Sequence, residues 1–598
     1  MNSNPLLDEK ETDFLLHDVL GAEELFSLPD FAEHNRATFD LVLGSSRRLS
    51  REVLHPVFRA MDAAPPSLED GRIHVHPKMR DAYRALVGLG LVSAPLPPRA
   101  GGVGLPMMAQ AASLVQVFAA NAAAGFFPAL TSLVAQIVGM LGSPAIQAAY
   151  GQRLASGEWT GTLAFTEAQA GSDITEIRTS ATKTEEGHYL LRGEKIFISA
   201  GDHDLTDNIV NVVIARIEGA PLGPMGLSLF VVPQKRPEGD ALVGNDVQTT
   251  GLLHKLGWRG LPSAVLRFGE GGDCRGWLLG EANQAIVYLM GALGPVRLLF
   301  SMTSVASALA GYKASLAYAR ERAQSRPIAA PDPSKPPVAI IEHADVRRML
   351  LRQKAIVEGG LGLVLALAKY QDVAGHGVTP EARGRAHTLF ELIAPAAKGI
   401  TGDRGFESNA LAIQVLGGHG ASVDHPVEAY LRDQKLNTLH AGTTGTLALD
   451  LLGRQALANE GAPIRMLGEE IASAVARARK AGVEAAWCDA VLGGFGELAK
   501  VTMDVAAFAQ AGDPDKMLRH ATDYLDLFGT LVIGWQWLLQ AAAARECQSA
   551  GRYDAAFLEG KLGAAQYWMA TEMPRIALLA SLCRAAEDSY ARMHSDWF

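Results

Sequence analysis

The residues able to do chemistry fall in a few short stretches. LAFTEAQAGSDITEIRT, Leu163 to Thr179, sets two hydroxyls, Thr166 and Ser172, in a Gly/Ala-bearing turn after a β-rich run. Hydroxyls and backbone N–H groups there can meet the polar edge of a flat ring, or simply satisfy the turn's own backbone. In KIFIS, Phe197 and Ser199 alternate with Ile196 and Ile198, so one strand face presents an aromatic ring beside a hydroxyl. A plain core aromatic gives the same pattern. Arg322 and Gln324 follow YARER, where a guanidinium suits bidentate binding of a diphosphate and equally an exposed surface. QVLGGHG, Gln414 to Gly420, has glycines through which backbone N–H groups can approach phosphate oxygens, although G-G-x-G is more often only a turn. LNTLHAGTTGTLALDLLGR, Leu436 to Arg454, carries His440, an imidazole competent as a base near neutral pH. His419, His425 and His440 form no H-x-x-x-H pair and have no cysteine beside them, so no metal is assigned.

The elements that must position these residues change texture along the chain. Phe31 to Gly157 is helical in pattern, with apolar residues three and four apart in DLVLGSSRRLSREVLHPVF and MMAQAASLVQVF. No charged side chain lies between Arg99 and Arg153, but glutamines, Asn121, Pro128 and glycines interrupt that run, which reads as buried core helices and not as a membrane span. From Trp159 to about Gly280 come short β-rich runs such as HYLLRGEKIFIS and NIVNVVIARI, a rigid surface against which a flat ligand can lie. Helical patterns return near Ala285, and past Gln455 the chain is Ala-rich and helical to its end. The expected segments are 1–158 helical, 159–282 β, 283–455 a helical bundle and 456–598 a helical extension. The class is therefore α+β. Alternating βα units are absent, which argues against a Rossmann sheet.

At 598 residues and 48% hydrophobic composition, the chain has ample material for several cores without staples. Its four cysteines lie far apart, so neither disulfides nor zinc are indicated and a reducing, cytoplasmic setting is the simplest. A net charge of −10 without a Lys/Arg run argues against nucleic acid or an anionic membrane as partner. The acidic start, MNSNPLLDEKETDF, lacks the basic-then-apolar order of a signal peptide.

Taken in order, LAFTEAQAGSDITEIRT, KIFISAGDHDLTDNIV, YARERAQSR, EHADVRRML, QVLGGHG and AGT resemble segments of the acyl-CoA dehydrogenase family, and within it the large methylmercaptopropionyl-CoA dehydrogenase type. The resemblance implies an N-terminal helical domain, a middle β domain, a C-terminal helical bundle and an extra helical extension. It implies FAD as cofactor, an acyl thioester of CoA or a carrier protein as substrate, and a homodimer that passes electrons to an electron-transferring flavoprotein. By the same resemblance Thr166 contacts the flavin pyrimidine, Ser172 lies near flavin and substrate, and Phe197 and Ser199 pack on the isoalloxazine where the family usually has Trp and Thr. Arg322 and Gln324, then Gln414, Gly417 and Gly418, would hold the adenosine diphosphate across the dimer interface; Thr443 matches a further hydroxyl contact to FAD, and Arg297 a contact to CoA.

One position disagrees with that pattern. The family's segment reads Tyr-Glu-Gly-Thr and its Glu takes the substrate α-proton, but here the sequence is His440-Ala441-Gly442-Thr443. Some relatives carry the base at the position of Val296, which cannot serve either. Asp433 reads as a structural salt-bridge partner, and Asp450 lies a turn or more away. His440 is the adjacent substitute. Losing a positioned base costs about 100- to 10,000-fold in rate. The expectation is thus dehydrogenation at the α,β-carbons with an atypical or relocated base; non-oxidative thioester chemistry such as elimination from a sulfur-bearing acyl group, or a non-catalytic flavin and acyl-CoA binder, stand as alternatives.

Overall fold

The computed structural model describes residues 8–239, 241–329 and 331–598, and their contacts divide into two compact units, Glu33–Leu293 and Met1–Ala32 with Gly294–Phe598.

In the unit Glu33–Leu293, helices α1 (Arg36–Leu49), α2 (His55–Ala63), α3 (Lys78–Gly88) and α4 (Met107–Leu141) precede the sheet. Asn35 starts α1 by accepting from the Thr38 N–H. The charge-free run is α4, which is buried over most of its length. Asn121 breaks its helical backbone (φ −165°, ψ 92°), and its side chain accepts from the Ala124 N–H at 3.1 Å to restart the helix.

The sheet comprises β1 (Thr160–Ala164), β2 (Ser180–Lys183), β3 (Tyr189–Ser199), β4 (Ile209–Ile217), β5 (Leu227–Pro233), β6 (Val247–Leu252), β7 (Ser263–Phe268) and β8 (Arg275–Leu279). Strand order is β6-β7-β3-β8-β5-β4-β1, with β2 pairing β3 and β4; β1 and β2 run parallel to β4 and the other pairings are antiparallel. β4 and β5 read as unbroken apolar runs because both faces are covered. Val210, Val212 and Ile214 face a core that includes Val134 and Val138 of α4, while Val213 and Ala215 face a second core with Phe230 and Leu266. Gly161 is required where β1 meets α4, since a Cβ there would lie 2.5 Å from Val134 Cβ.

The second unit is helical: α5 (Ala285–Glu321, which begins in the first unit), α6 (Ala344–His376), α7 (Pro380–Leu416), α8 (Val427–Leu436), α9 (Thr444–Asp450), α10 (Ala458–Lys480), α11 (Ala485–Gln510), α12 (Ala521–Ser549), α13 (Ala555–Thr571) and α14 (Arg575–Ala585). The extension packs on the bundle through small residues. Trp537 of α12 donates its indole N–H to Ala355 O at 2.9 Å, and a Cβ on Gly359 would meet that indole nitrogen at 2.5 Å. Gly399 sits against Leu525, and Gly529 against Ile400. Gly359→Val should therefore wedge α12 away from α6 and lower stability by about 1–3 kcal/mol, read by chemical denaturation.

The described residues before Ala32 pack with the extension and not with the rest of the 1–158 segment. Glu11 is buried against the Lys561 ammonium, which also donates to Glu358 Oε2 at 2.8 Å. Phe14 meets Tyr553 and Phe557 edge-on at 5.9 and 5.5 Å, and Arg477 donates to the carbonyls of Asp18 and Val19. Among the described residues, Met107–Leu141, Ala285–Glu321 and Ala521–Ser549 are long and apolar enough to cross a membrane by length and composition; 72%, 44% and 94% of their most apolar windows are buried in protein.

Candidate active site

The candidate residues fall in both units, and each group has its own geometry. In the β unit, Thr166 lies in the turn after β1, whose backbone is tied to β3 by Ile196 N–H donating to Thr166 O at 2.9 Å. The anchor is Glu167. Its carboxylate accepts from Lys195 Nζ at 2.8 Å, from the Thr179 and Arg178 backbone N–H groups at 3.0 and 2.8 Å, and from Thr179 Oγ1 and Gln169 Nε2. Burial alone would raise the Glu167 pKa, but the charge and hydrogen bond of Lys195, with these other donors, bring it down to about 2. Burial lowers Lys195 to about 8 against the opposing pull of Glu167. Lys195 Nζ also donates to Phe165 O at 3.0 Å, so one buried pair grips the residues on both sides of Thr166.

The alternation expected along KIFIS is interrupted. Register passes from Ala264↔Ile198 to Leu266↔Lys195, one residue more on β3 than on β7, which is a β-bulge. Phe197 stands in it with φ +58° and is 60% exposed. A left-handed backbone is costly for a bulky residue, about 1–3 kcal/mol, and such outliers gather at ligand sites. Phe197 is therefore not a core aromatic. The side-chain hydroxyls of Thr166, Ser172 and Ser199 make no hydrogen bond among the described residues, so the self-satisfied turn is not what forms.

In the helical unit, the ends of α5 and α7 come together: Tyr318 Oη and His419 Nδ1 are 2.7 Å apart, and His419 stacks on His425. This brings Arg322 and Gln324 to the same end as Gln414, Gly417 and Gly418. All five are exposed, the three long side chains have no partner among the described residues, and a Cβ at Gly417 or Gly418 would meet nothing within 4 Å. The glycine turn holds itself by Gly417 N–H donating to Gln414 O, with Gly417 at φ +59°.

The His440–Thr443 turn lies elsewhere, beside the middle of α7, where buried Lys398 donates from Nζ to Gly442 O at 2.6 Å. From Lys398 to Gly417 is about 28 Å at 1.5 Å per helical residue, so the structure does not bring Thr443 together with Gln414, Gly417 and Gly418 in one chain. Ala441 is half-buried at φ +54° and Gly442 follows at φ +94°. Thr443 caps α9, its Oγ1 accepting from Thr446 N–H at 3.4 Å. Thr443→Ala should lower stability by about 1 kcal/mol, measurable as a shift in denaturation midpoint. The His440 ring packs edge-on against Phe300 at 5.6 Å.

Arg297 departs from its expected role. The residue is 3% exposed and its guanidinium forms an ion pair with Asp450 at 2.6 Å, which Arg454 also engages, so it is enclosed where a CoA contact needs an open cation. Asp450, held below the usual carboxylate range by Arg454 and Arg297 despite its burial, is thereby a poor proton acceptor. The residues that hold these turns and that the motifs did not single out are Glu167, Lys195 and Lys398. The available signal was a lone lysine inside an apolar run, KIFIS and LIAPAAKGIT.

The chain matches the acyl-CoA dehydrogenase N-terminal domain over residues 41–158, the middle domain over 162–270, the C-terminal domain over 284–457 and an acetyl-CoA dehydrogenase C-terminal-like domain over 467–594. It belongs to the acyl-CoA dehydrogenase family, whose members similar to it are enzymes. It is 36% identical to the 3-methylmercaptopropionyl-CoA dehydrogenase of Ruegeria pomeroyi over 87% of each chain, and 29% identical to the broad-specificity linear acyl-CoA dehydrogenase FadE5 of Mycobacterium tuberculosis over 94% of each. Among solved structures, Caenorhabditis elegans ACDH-11 in complex with C11-CoA superposes with a TM-score of 0.76 at 18% identity, covering 98% of this chain and 96% of that one. The FAD complex of a Bacillus anthracis acyl-CoA dehydrogenase gives 0.75 at 19%, covering 97% and 93%. At these identities the structural likenesses bear on the fold.

Proposed function

We propose that the protein is an FAD-dependent oxidoreductase of acyl thioesters, acting at the α,β-carbons with a proton acceptor that is not residue 441. The observation that carries this is the Phe197 bulge: an aromatic ring held exposed at a left-handed backbone, with the free hydroxyls of Ser199 and Thr166 nearby on tied backbone, is a surface waiting for a flat polar ring. FAD, when bound, supplies the two-electron acceptor. Thr166 and Ser172 would meet the ring's polar edge, and Phe197 and Ser199 would pack on it. The open Gly417–Gly418 turn with Arg322, Gln324 and Gln414 suits a diphosphate. The separation between that turn and Thr443 favours a homodimer in which each cofactor is held by two chains.

For the reaction itself, an α-proton must leave to a base while the thioester carbonyl is polarised by hydrogen bonds. The substrate is an acyl group on CoA or on a carrier protein, and electrons leave to an electron-transferring flavoprotein or to oxygen. The free, buried cysteines accord with a cytoplasmic setting. The methyl group of Ala441 favours a second reading, net non-oxidative chemistry on a sulfur-bearing acyl thioester with the flavin as scaffold.

Anaerobic mixing of the FAD-loaded protein with a panel of acyl-CoAs separates these readings. Bleaching of the flavin band is the expected result. Product without bleaching supports the second reading, and a protein that cannot be loaded with FAD refutes both.

A further inference from the structure

A cavity of about 270 Å³ lies wholly within the unit Glu33–Leu293. Its walls are Pro65 and Pro66, in the link after α2, and the segment 252–262, which leads from β6 to β7. The prolines and the four leucines of that segment make the walls apolar. His254, Lys255 and Arg259 are the ionisable side chains that line it, all of them basic, and among the described residues no carboxylate does. The volume falls just below the roughly 300–1,000 Å³ of sites for drug-sized ligands. It is therefore too small for a whole CoA thioester and suits a small molecule.

The segment is built to hold one shape. Leu253 N–H donates to Ser263 O at 2.9 Å and closes it at the base, and Leu261 N–H donates to Trp258 O at 3.0 Å. Trp258 is 1% exposed at φ +48°, its ring 5.0 Å from that of Phe126 on α4. A left-handed backbone at so bulky a residue costs about 1–3 kcal/mol and persists only where the surroundings fix it. Gly260 is buried, and a Cβ there would lie 3.3 Å from Met61 Cβ and 3.4 Å from Ala123 Cβ. Arg259 stands between these two inward anchors and lines the cavity; it is half-buried, with no hydrogen-bond or ion-pair partner among the described residues. Lys255 Nζ donates to Leu261 O at 2.5 Å, which fixes the ammonium beside the same cavity.

We propose that this cavity binds a small monocarboxylate with an apolar body, of the size of octanoate, its carboxylate on Arg259 beside the Lys255 ammonium and its hydrocarbon against the prolines and leucines. A guanidinium matches a carboxylate through two parallel N–H donors, and partial burial strengthens the pair because fewer waters compete for it. The apolar walls select a ligand that carries hydrocarbon behind its charge, which inorganic phosphate lacks. Walls that are already formed leave little ordering cost to be met on binding. The cavity's chemistry stands apart from the flavin and thioester reading; under that reading its ligand is the class of acid that hydrolysis of a medium-chain acyl thioester releases.

The test is isothermal titration calorimetry of the full-length protein with octanoate, octanamide, butyrate and inorganic phosphate. Octanoate should bind at one per chain, and more weakly as salt rises. Octanamide, the uncharged analogue, should bind about 10-fold more weakly or less, the share of one charge-assisted hydrogen bond. Butyrate and phosphate, with little or no hydrocarbon to bury, should also lose about 10-fold or more. Arg259→Gln should weaken octanoate by about 10-fold or more. Leu256→Asp, at a wall position 54% exposed, sets a repelling carboxylate beside the ligand and should do the same. Both variants should keep the wild-type denaturation midpoint, since neither removes a core side chain or a paired charge. Octanoate that binds both variants as tightly as wild type sits elsewhere, and that result overturns the proposal, as does octanamide binding equally well or no binding of octanoate at all. Phosphate that binds as tightly as octanoate and is lost in Arg259→Gln overturns the carboxylate class and makes the cavity a plain anion site.

Discussion

Ala441→Glu is expected to increase anaerobic flavin bleaching by a simple saturated acyl-CoA by about 100- to 10,000-fold, the usual contribution of a positioned base. The turn already has the form such a residue needs: Ala441 sits at φ +54°, Gly442 follows at φ +94°, Lys398 holds Gly442 O, and Thr443 caps the next helix. Glu in place of Ala at the same left-handed backbone adds little strain, because both carry a Cβ. Two forces act on the new carboxylate. Partial burial raises its pKa, and a protonated Lys398 lowers it, while Lys398 gains a counter-charge that it lacks in wild type. The lysine should in turn titrate above its wild-type value of about 7. Any native non-oxidative activity should fall. Stopped-flow absorbance of the flavin band decides it: wild type bleaching as fast as the variant would refute a vacant base position. Loss of that bleaching in His440→Ala, with FAD retained, would place the base on the neighbouring imidazole.

The β unit was legible because its signals are local. Runs such as NIVNVVIARI are too apolar and β-branched for anything but buried strands, and they are β4 and its neighbours. The charge-free run was likewise legible as core helix. What composition and spacing could not show is where long-range partners meet. Glu11 and Lys561 lie 550 residues apart, so no window contains the pair that draws the first described residues onto the extension. The bulge at Phe197 depends on β7 opposite, and a lone β3 reads as regular alternation. The site residues followed the same division. Thr166, Phe197 and Thr443 stand in recognisable motifs, whereas the groups that hold their backbone, Glu167, Lys195 and Lys398, are ordinary-looking residues whose meaning is set by burial. Arg297 shows the converse, an apparent contact residue that the fold encloses in an ion pair.

Glu167→Gln should destabilise the protein by about 3–5 kcal/mol, because it leaves the Lys195 ammonium buried without its partner. Gln keeps the shape and a carbonyl oxygen for the Thr179 N–H, so the change isolates the charge. The pH dependence gives an independent check. The folded pKa of Glu167, about 2, lies below the ordinary 4.5, so its stabilisation is fully present above about pH 4.5 and is lost as pH falls through about 2. A displacement of that size corresponds to about 3 kcal/mol, in line with the cost of breaking a buried pair. Denaturation midpoints of wild type and variant should accordingly differ most above pH 4.5 and converge below it; a constant difference across that window would show that packing and not charge is lost. Since the same pair grips Phe165 O and the turn of Thr166, FAD affinity should fall with it. Lys195→Met/Glu167→Gln, which removes both charges, should recover most of the stability, and failure to recover would mean that the turn depends on the hydrogen bonds of Lys195 more than on its charge.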